Sequence, residues 1–391
     1  MLGKTLKQRF IYSPPRCLGR ISKKYKSAFG EALLKVGRKN SIMTRKLALV
    51  CILGVIPVVG CLDSGSSADS SGTRRIDTPA GMIEYLHKQN LPALKSVEVW
   101  ENEYGAGLKL TTAHYEILTT LLEPLMLSQV PGFMESAYRG YNDQLPEPIE
   151  TTTRFTVYLF AERGQWEEFT KAFTGPQAPL YCKIKAGAYY LNGACVAYNI
   201  GRELTFSTLG HEGWHQFNSR YFKFRLPSWL DEGIAMLFET SRYEQGLFYF
   251  EPGRNMNRLG SLKMTLMKNK MIPIRELIAM NPGEAIVTSD DTVMAFYSQS
   301  YALVRFLREE DYGKRLGNYH QLLEEGLKGK WPLEEGGKRI AADRNIPLTV
   351  WWNRAIGTKL FEYYISDDLD PIEKEYLMFC RKVVYHVHFR K

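Results

Sequence analysis

The spacing of apolar positions changes along the chain, and that spacing predicts the elements. Residues 78–88 read as a short helix. Residues 97–100, 108–111 and 114–118 alternate apolar with polar side chains and read as strands. Residues 121–141 have helical spacing, with a break expected near Pro131-Gly132 because proline removes a backbone N–H. Residues 153–160 carry a strong strand signal, and 163–173 a helix stopped by Thr174-Gly175-Pro176. A hairpin is expected over 180–189 and 194–199, with Asn192-Gly193 near its turn. Two helices follow, over 203–218 and 227–240. From Arg258 the spacing is mainly helical, over 259–268, 274–279, 292–310, 312–325, 332–342 and 347–360. A turn at 367–371 precedes a last apolar-aromatic stretch, 383–388. The expected class is α+β, with a small N-terminal sheet, a helical C-terminal half and no internal repeat.

Composition narrows the class of molecule. The 391 residues are 45% hydrophobic and 13% aromatic, enough for a full core, which excludes a disordered chain, a collagen-like fibre and a small disulfide scaffold. One long apolar run, near the N-terminus, argues against a polytopic membrane protein. The net charge of +9 is unevenly placed. Residues 1–42 hold eleven Lys or Arg and one acid, whereas residues 47–391 hold 38 basic and 41 acidic residues. The body of the chain is therefore slightly acidic, and no nucleic-acid partner is expected.

Residues 43–61 have the order of a signal peptide: Arg45-Lys46, an apolar run over 47–59 that is short for a membrane span, then Val58-Val59-Gly60-Cys61. That ending resembles a bacterial lipobox. The resemblance implies cleavage before Cys61, lipidation of Cys61 and a membrane-anchored domain on the exported side, periplasmic or at the cell surface. Residues 1–42 are then either a basic extension ahead of a true start at Met43 or a long cytoplasmic leader, without a catalytic role in either case. Residues 62–78 are rich in Ser, Gly and Asp and read as a flexible tether. The remaining chain divides into an α+β part, 79–257, and a helical part, 258–391. Of its cysteines, Cys182 and Cys195 flank the expected hairpin and form a candidate disulfide pair; two buried thiols are the alternative.

The chemistry concentrates in His211-Glu212-Gly213-Trp214-His215. On a helix, positions i and i+4 share a face, so both imidazoles can reach one metal ion. Glu212 stands beside the first ligand, where it can take a proton from water. Catalytic zinc usually has three protein ligands and an open position. No HxxGxxH continuation follows His215, so the third ligand must come from elsewhere. Asp231-Glu232, in Leu226-Pro227-Ser228-Trp229-Leu230-Asp231-Glu232-Gly233-Ile234-Ala235, is the next acidic pair and lies on the second expected helix. Glu239, seven positions on, shares a helix face with Glu232; it could orient a ligand histidine, although a solvated side chain is the favoured reading. Arg254, Arg258, Lys263, Lys268, Lys270 and Arg275 read as a solvated face. No P-loop, GxGxxG or GxSxG motif occurs.

HEGWHQF followed by LPSWLDEGIAMLFE resembles the gluzincin branch of the MA-clan zinc metallopeptidases, and is similar in particular to the peptidase-MA-like families of uncharacterised bacterial exported proteins. The resemblance is specific over about residues 150–310. It implies a zincin-like fold, Zn2+ bound by His211, His215 and Glu232, Glu212 as general base, and a peptide or protein substrate paired along a strand edge. Residues 296–304 resemble the family's tyrosine-bearing helix, which implies Tyr297, or else Tyr301, as donor to the oxyanion. The Gly-x-Met-Glu-Asn motif of aminopeptidases is absent, which favours an endopeptidase. A lipid-anchored protein that binds zinc or peptide without turnover is the alternative. Neither reading specifies an oligomeric state.

Overall fold

A computed structural model describes residues 78–185 and 187–388. The basic extension, the signal segment with Cys61, and residues 62–77 of the tether lie outside the described residues. The fold is mixed helix and strand. Helix α1 (Pro79–His87) leads into β1 (Ser96–Val99), β2 (Leu108–Thr111) and β3 (Tyr115–Thr119). Helix α2 (Pro124–Asn142) crosses to β4 (Phe155–Phe160); α3 (Arg163–Thr174) and the single turn α4 (Ala178–Tyr181) lead to the hairpin of β5 (Ala188–Leu191) and β6 (Ala194–Tyr198). The sheet order is β1-β2-β3-β4-β6-β5. Strands β3, β4 and β6 run parallel, and β5 is an antiparallel edge.

Side-chain alternation in β4 and β6 divides the core into two layers. Val157, Leu159, Cys195 and Ala197 join the large cluster under α2 and α5 (Arg202–Tyr221). Phe160, Ala194, Val196 and Tyr198 face the opposite way, onto Trp166, Phe169 and Tyr181 of α3 and α4. This division decides between the candidate disulfide and its alternative. Cys182 and Cys195 are free thiols, as is Cys380. Cys195 faces the α5 layer, whereas Cys182 follows α4 on the other side of the sheet, so the strand separates the two sulfurs.

After α5 come α6 (Ser228–Ala235), a 3-10 turn (Met236–Phe238) and a hairpin of β7 (Ser241–Glu244) and β8 (Leu247–Phe250). The rest is helical: α7 (Met256–Met267), α8 (Ile274–Leu277), α9 (Pro282–Thr288), α10 (Asp290–Glu309), α11 (Leu316–Lys328), α12 (Glu335–Ala342), α13 (Val350–Trp352), a π-helical turn (Asn353–Thr358), α14 (Lys359–Tyr364) and α15 (Leu369–Val383). One hydrophobic cluster runs from α1 to α15 through both halves of the chain. None of the described helices is long and apolar enough to cross a membrane.

Several expectations shift. Helix α2 continues through Pro131. Proline forfeits one helix hydrogen bond, but Leu127, Val130, Phe133 and Met134 are all buried around it, so core packing outweighs the local break. The first hairpin strand starts at Ala188 rather than 180, because 178–181 coil into α4. Asp311 and Tyr312 adopt left-handed φ values of 51° and 55°, which delays α11 to Leu316. The β7–β8 hairpin, α9 and α15 were not expected.

Two glycines set how closely α5 and α6 approach their neighbours. A Cβ at Gly233 would lie 2.6 Å from the Ser300 carbonyl of α10. A Cβ at Gly213 would lie 2.3 Å from the Tyr141 hydroxyl, which is pinned by donating to the Gly210 carbonyl at 2.7 Å. Gly213→Ala should therefore lower stability by about 1–3 kcal/mol through overpacking. Denaturant unfolding checks this, with a smaller penalty expected in a Tyr141→Phe background. Equal penalties in the two backgrounds would show that Tyr141 is not the obstacle.

Candidate metal centre

Helix α5 carries His211, Glu212 and His215, all buried. Its position is fixed by Gln216, whose amide donates to the carbonyls of Thr156 at 2.8 Å and Gly193 at 2.7 Å. The motif is thereby tied both to β4 and to the β5–β6 turn. Helix α6 brings Glu232. Its first turn is capped from the C-terminal half: Ser228 N–H donates to Asn353 Oδ1 at 2.9 Å, and Asn353 donates back to Ser228 Oγ at 3.0 Å.

The ligand atoms of His211, His215 and Glu232 lie within 4.8 Å of one another. Glu232 Oε2 is 3.4 Å from His211 Nε2 and 3.9 Å from His215 Nε2. Tetrahedral coordination at zinc distances places donor atoms about 3.3 Å apart, so the two Glu232 contacts are already near that spacing. Both His211 Nε2 and Glu212 Oε2 are buried with no hydrogen-bond partner among the described residues. Buried polar atoms are ordinarily satisfied, and a cation among them would satisfy these. A buried His-His-Glu group able to hold a metal ion is thus present.

The outer nitrogens of both histidines are held by carboxylates. His211 Nδ1 is 3.0 Å from Glu239 Oε1, and His215 Nδ1 is 3.2 Å from Asp231 Oδ1. Each contact fixes the ring and leaves Nε2 directed at the centre. Asp231 also accepts from Trp214 Nε1 and Asn218 Nδ2, each at 2.9 Å. Glu239 accepts from Arg258 Nε at 2.8 Å, Arg258 Nη2 at 2.6 Å and Asn255 Nδ2 at 2.9 Å.

Two favoured sequence readings are corrected here. Glu239 and Arg258 are not solvated; Arg258 is only 6% exposed and forms a bidentate pair with Glu239. The missed signal lies in α7, where Arg258 shares its buried face with Leu259, Leu262 and Thr265 at helical spacing. Tyr297 lies buried on α10, its ring 5.4 Å from the Arg258 guanidinium that pairs with Glu239. Tyr301 is engaged elsewhere, since its hydroxyl donates to the Pro252 carbonyl and accepts from Arg305 at 3.0 Å.

The electrostatics follow from this arrangement. Burial disfavours the charged form of His211, but Glu232, Glu239 and Glu212 outweigh it and raise its pKa to about 10. Burial also opposes charge on His215, yet Asp231 and Glu232 raise it to about 9. Burial pushes Glu212 up, against the pull of His215, His211 and the Tyr190 backbone N–H on β5. Burial works against ionised Glu239 too, but Arg258 and His211 hold it down at about 2.

No protein-family model and no curated protein sequence matches this chain.

Two outcomes follow. Glu239→Gln should weaken binding of a divalent metal ion about tenfold or more, because the charge that orients His211 is lost. Chelator competition measures this; an unchanged affinity would mean that Glu239 does not govern the ligand. A metal needs neutral imidazoles, and both are protonated below their raised pKa values, so protons must leave as the metal enters. Metal-ion affinity should rise with pH from about 6 to about 9, with proton release at pH 7. Calorimetry in buffers of different ionisation enthalpy reads that release directly; none would contradict the protonated metal-free site.

Proposed function

We propose that this chain is a zinc-dependent peptidase of the gluzincin type, with the zincin-like fold that its motifs imply. The observation that carries the reading is the buried convergence of His211, His215 and Glu232 with Glu212 beside them on the same helix as the histidines. Nitrogen and carboxylate ligands in a three-residue set suit zinc with a position left open. Zinc held there would supply a Lewis acid, lowering the pKa of water and polarising a carbonyl.

The chain's own groups divide the remaining work. Glu212 takes the proton of the attacking water and delivers it to the leaving amine. Its raised pKa suits both directions of transfer. Asp231 and Glu239 keep the two imidazoles oriented. Tyr297, a buried phenol stacked under Arg258, is assigned the hydrogen bond to the oxyanion. Strand β5 is the sheet's antiparallel edge beside α5, and its free side can pair an extended peptide. Endopeptidase action is the favoured form. The lipobox-like sequence at Cys61 supports an activity held at a membrane, on its exported side.

The test uses the full-length chain. Wild type should retain about one zinc per chain and hydrolyse peptide substrates. Glu212→Gln should keep the zinc while losing hydrolysis by a factor of about 100 or more, the usual worth of a general base. His211→Ala should lose both. Equal turnover in wild type and Glu212→Gln would sink the peptidase assignment, and a zinc-loaded wild type without turnover would point to a binding protein.

A further inference from the structure

A cavity lined by none of the candidate metal ligands lies elsewhere in the fold. Its volume is about 640 Å3, and it opens between α2, the β7–β8 hairpin and α10. Tyr138, Phe238, Phe248 and Phe250 give it an aromatic lining. Phe238 also stacks on Trp214 of α5, at 6.3 Å between centroids. Leu247 and Tyr249 are large apolar side chains left 42% and 46% exposed at the opening.

The lining also holds two guanidinium groups, Arg139 and Arg308. Neither forms an ion pair among the described residues. Arg139 Nη2 donates to Ser136 Oγ at 2.9 Å. Arg308 Nε is buried and has no hydrogen-bond partner. The lining's one acid, Asp143, is exposed and stands at the C-cap of α2. Buried guanidinium nitrogens are normally paired with carboxylates or carbonyls, as Arg258 and Arg305 are here. An aromatic cavity with uncompensated positive charge is complementary to a ligand with an apolar body and an anionic head.

We propose that this cavity binds a single-chain amphiphilic anion, an alkyl carboxylate, with the head group on Arg308 and Arg139 and the chain against Phe238, Phe248 and Phe250. Arginine favours this head group because its planar fork matches a carboxylate in bidentate fashion. The volume suits one chain of moderate length, which selects a free carboxylate over a two-chain membrane lipid. The site is independent of the metal reading and would stand if that reading failed.

Titration calorimetry of the full-length chain with decanoate, below its micelle concentration, tests the proposal. One decanoate should bind per chain, with decanol at least about tenfold weaker because it lacks the charged head. Arg308→Met keeps the aliphatic stem and should weaken decanoate about tenfold while leaving decanol unchanged. Arg139→Met, at an exposed position, provides a second variant, and unfolding curves confirm that both are folded. Equal affinity for decanoate and decanol, or for wild type and both variants, would overturn the proposal. So would binding to phosphatidylglycerol vesicles with none to monomeric decanoate.

Discussion

Burying titratable groups is the constraint around which α5, α6 and α7 are arranged. Four carboxylates (Glu212, Asp231, Glu232 and Glu239) and two imidazoles are withdrawn from water in one region. Removing such groups from water costs several kcal/mol each unless partners replace the solvent. The partners here are distributed unevenly. Asp231 and Glu239 receive dedicated donors from Trp214, Asn218, Asn255 and Arg258. On the inner side, Glu212 Oε2 has no hydrogen-bond partner among the described residues, and His211 Nε2 has only the Glu232 carboxylate, 3.4 Å away. The outer atoms are fixed by dedicated donors and the inner ones converge on one another, which is the arrangement a metal centre requires.

That arrangement only works if the helices cannot drift. Gly213 and Gly233 let α5 and α6 settle directly against Tyr141 and the Ser300 carbonyl. Gln216 and Asn353 then lock each helix to a distant segment. An imidazole held within a few tenths of an ångström keeps its ligand atom on target, whereas a looser helix would spend binding energy on ordering it. Arg258 belongs to the same scheme: its guanidinium spans Glu239 and the Tyr297 ring, joining α7 and α10 through Glu239 to the His211 turn of α5.

Much of this was legible in the sequence, and the gaps have physical causes. The strands before α5 and the two site helices were visible because apolar alternation and helical spacing are strong there. The hairpin turn at Asn192-Gly193 was legible because both residues favour the positive φ they adopt, 48° and 84°. The equivalent turn at Gln245-Gly246, at 50° and 85°, was missed because glutamine carries no such preference. The two histidines and Glu212 were legible as local spacing. Glu239 and Arg258 were not, since a charged side chain on a helix is usually solvated and only tertiary packing shows that these two face each other. The choice between a Cys182–Cys195 bond and two free thiols was open for a related reason: proximity along a hairpin does not reveal which face of the sheet each sulfur occupies.

The adjacent acids Asp231 and Glu232 show what a helix adds to a sequence. Either could serve as a ligand when read as a pair of letters. Neighbouring residues on a helix point about 100° apart, so the two carboxylates leave α6 in different directions. One reaches the outer nitrogen of His215, and the other reaches the inner nitrogens of both histidines. A single turn of α6 therefore supplies both a candidate ligand and the group that orients another one. The two roles cannot be exchanged without rotating the helix, and Gly233, seated against α10 at the next position, prevents that rotation.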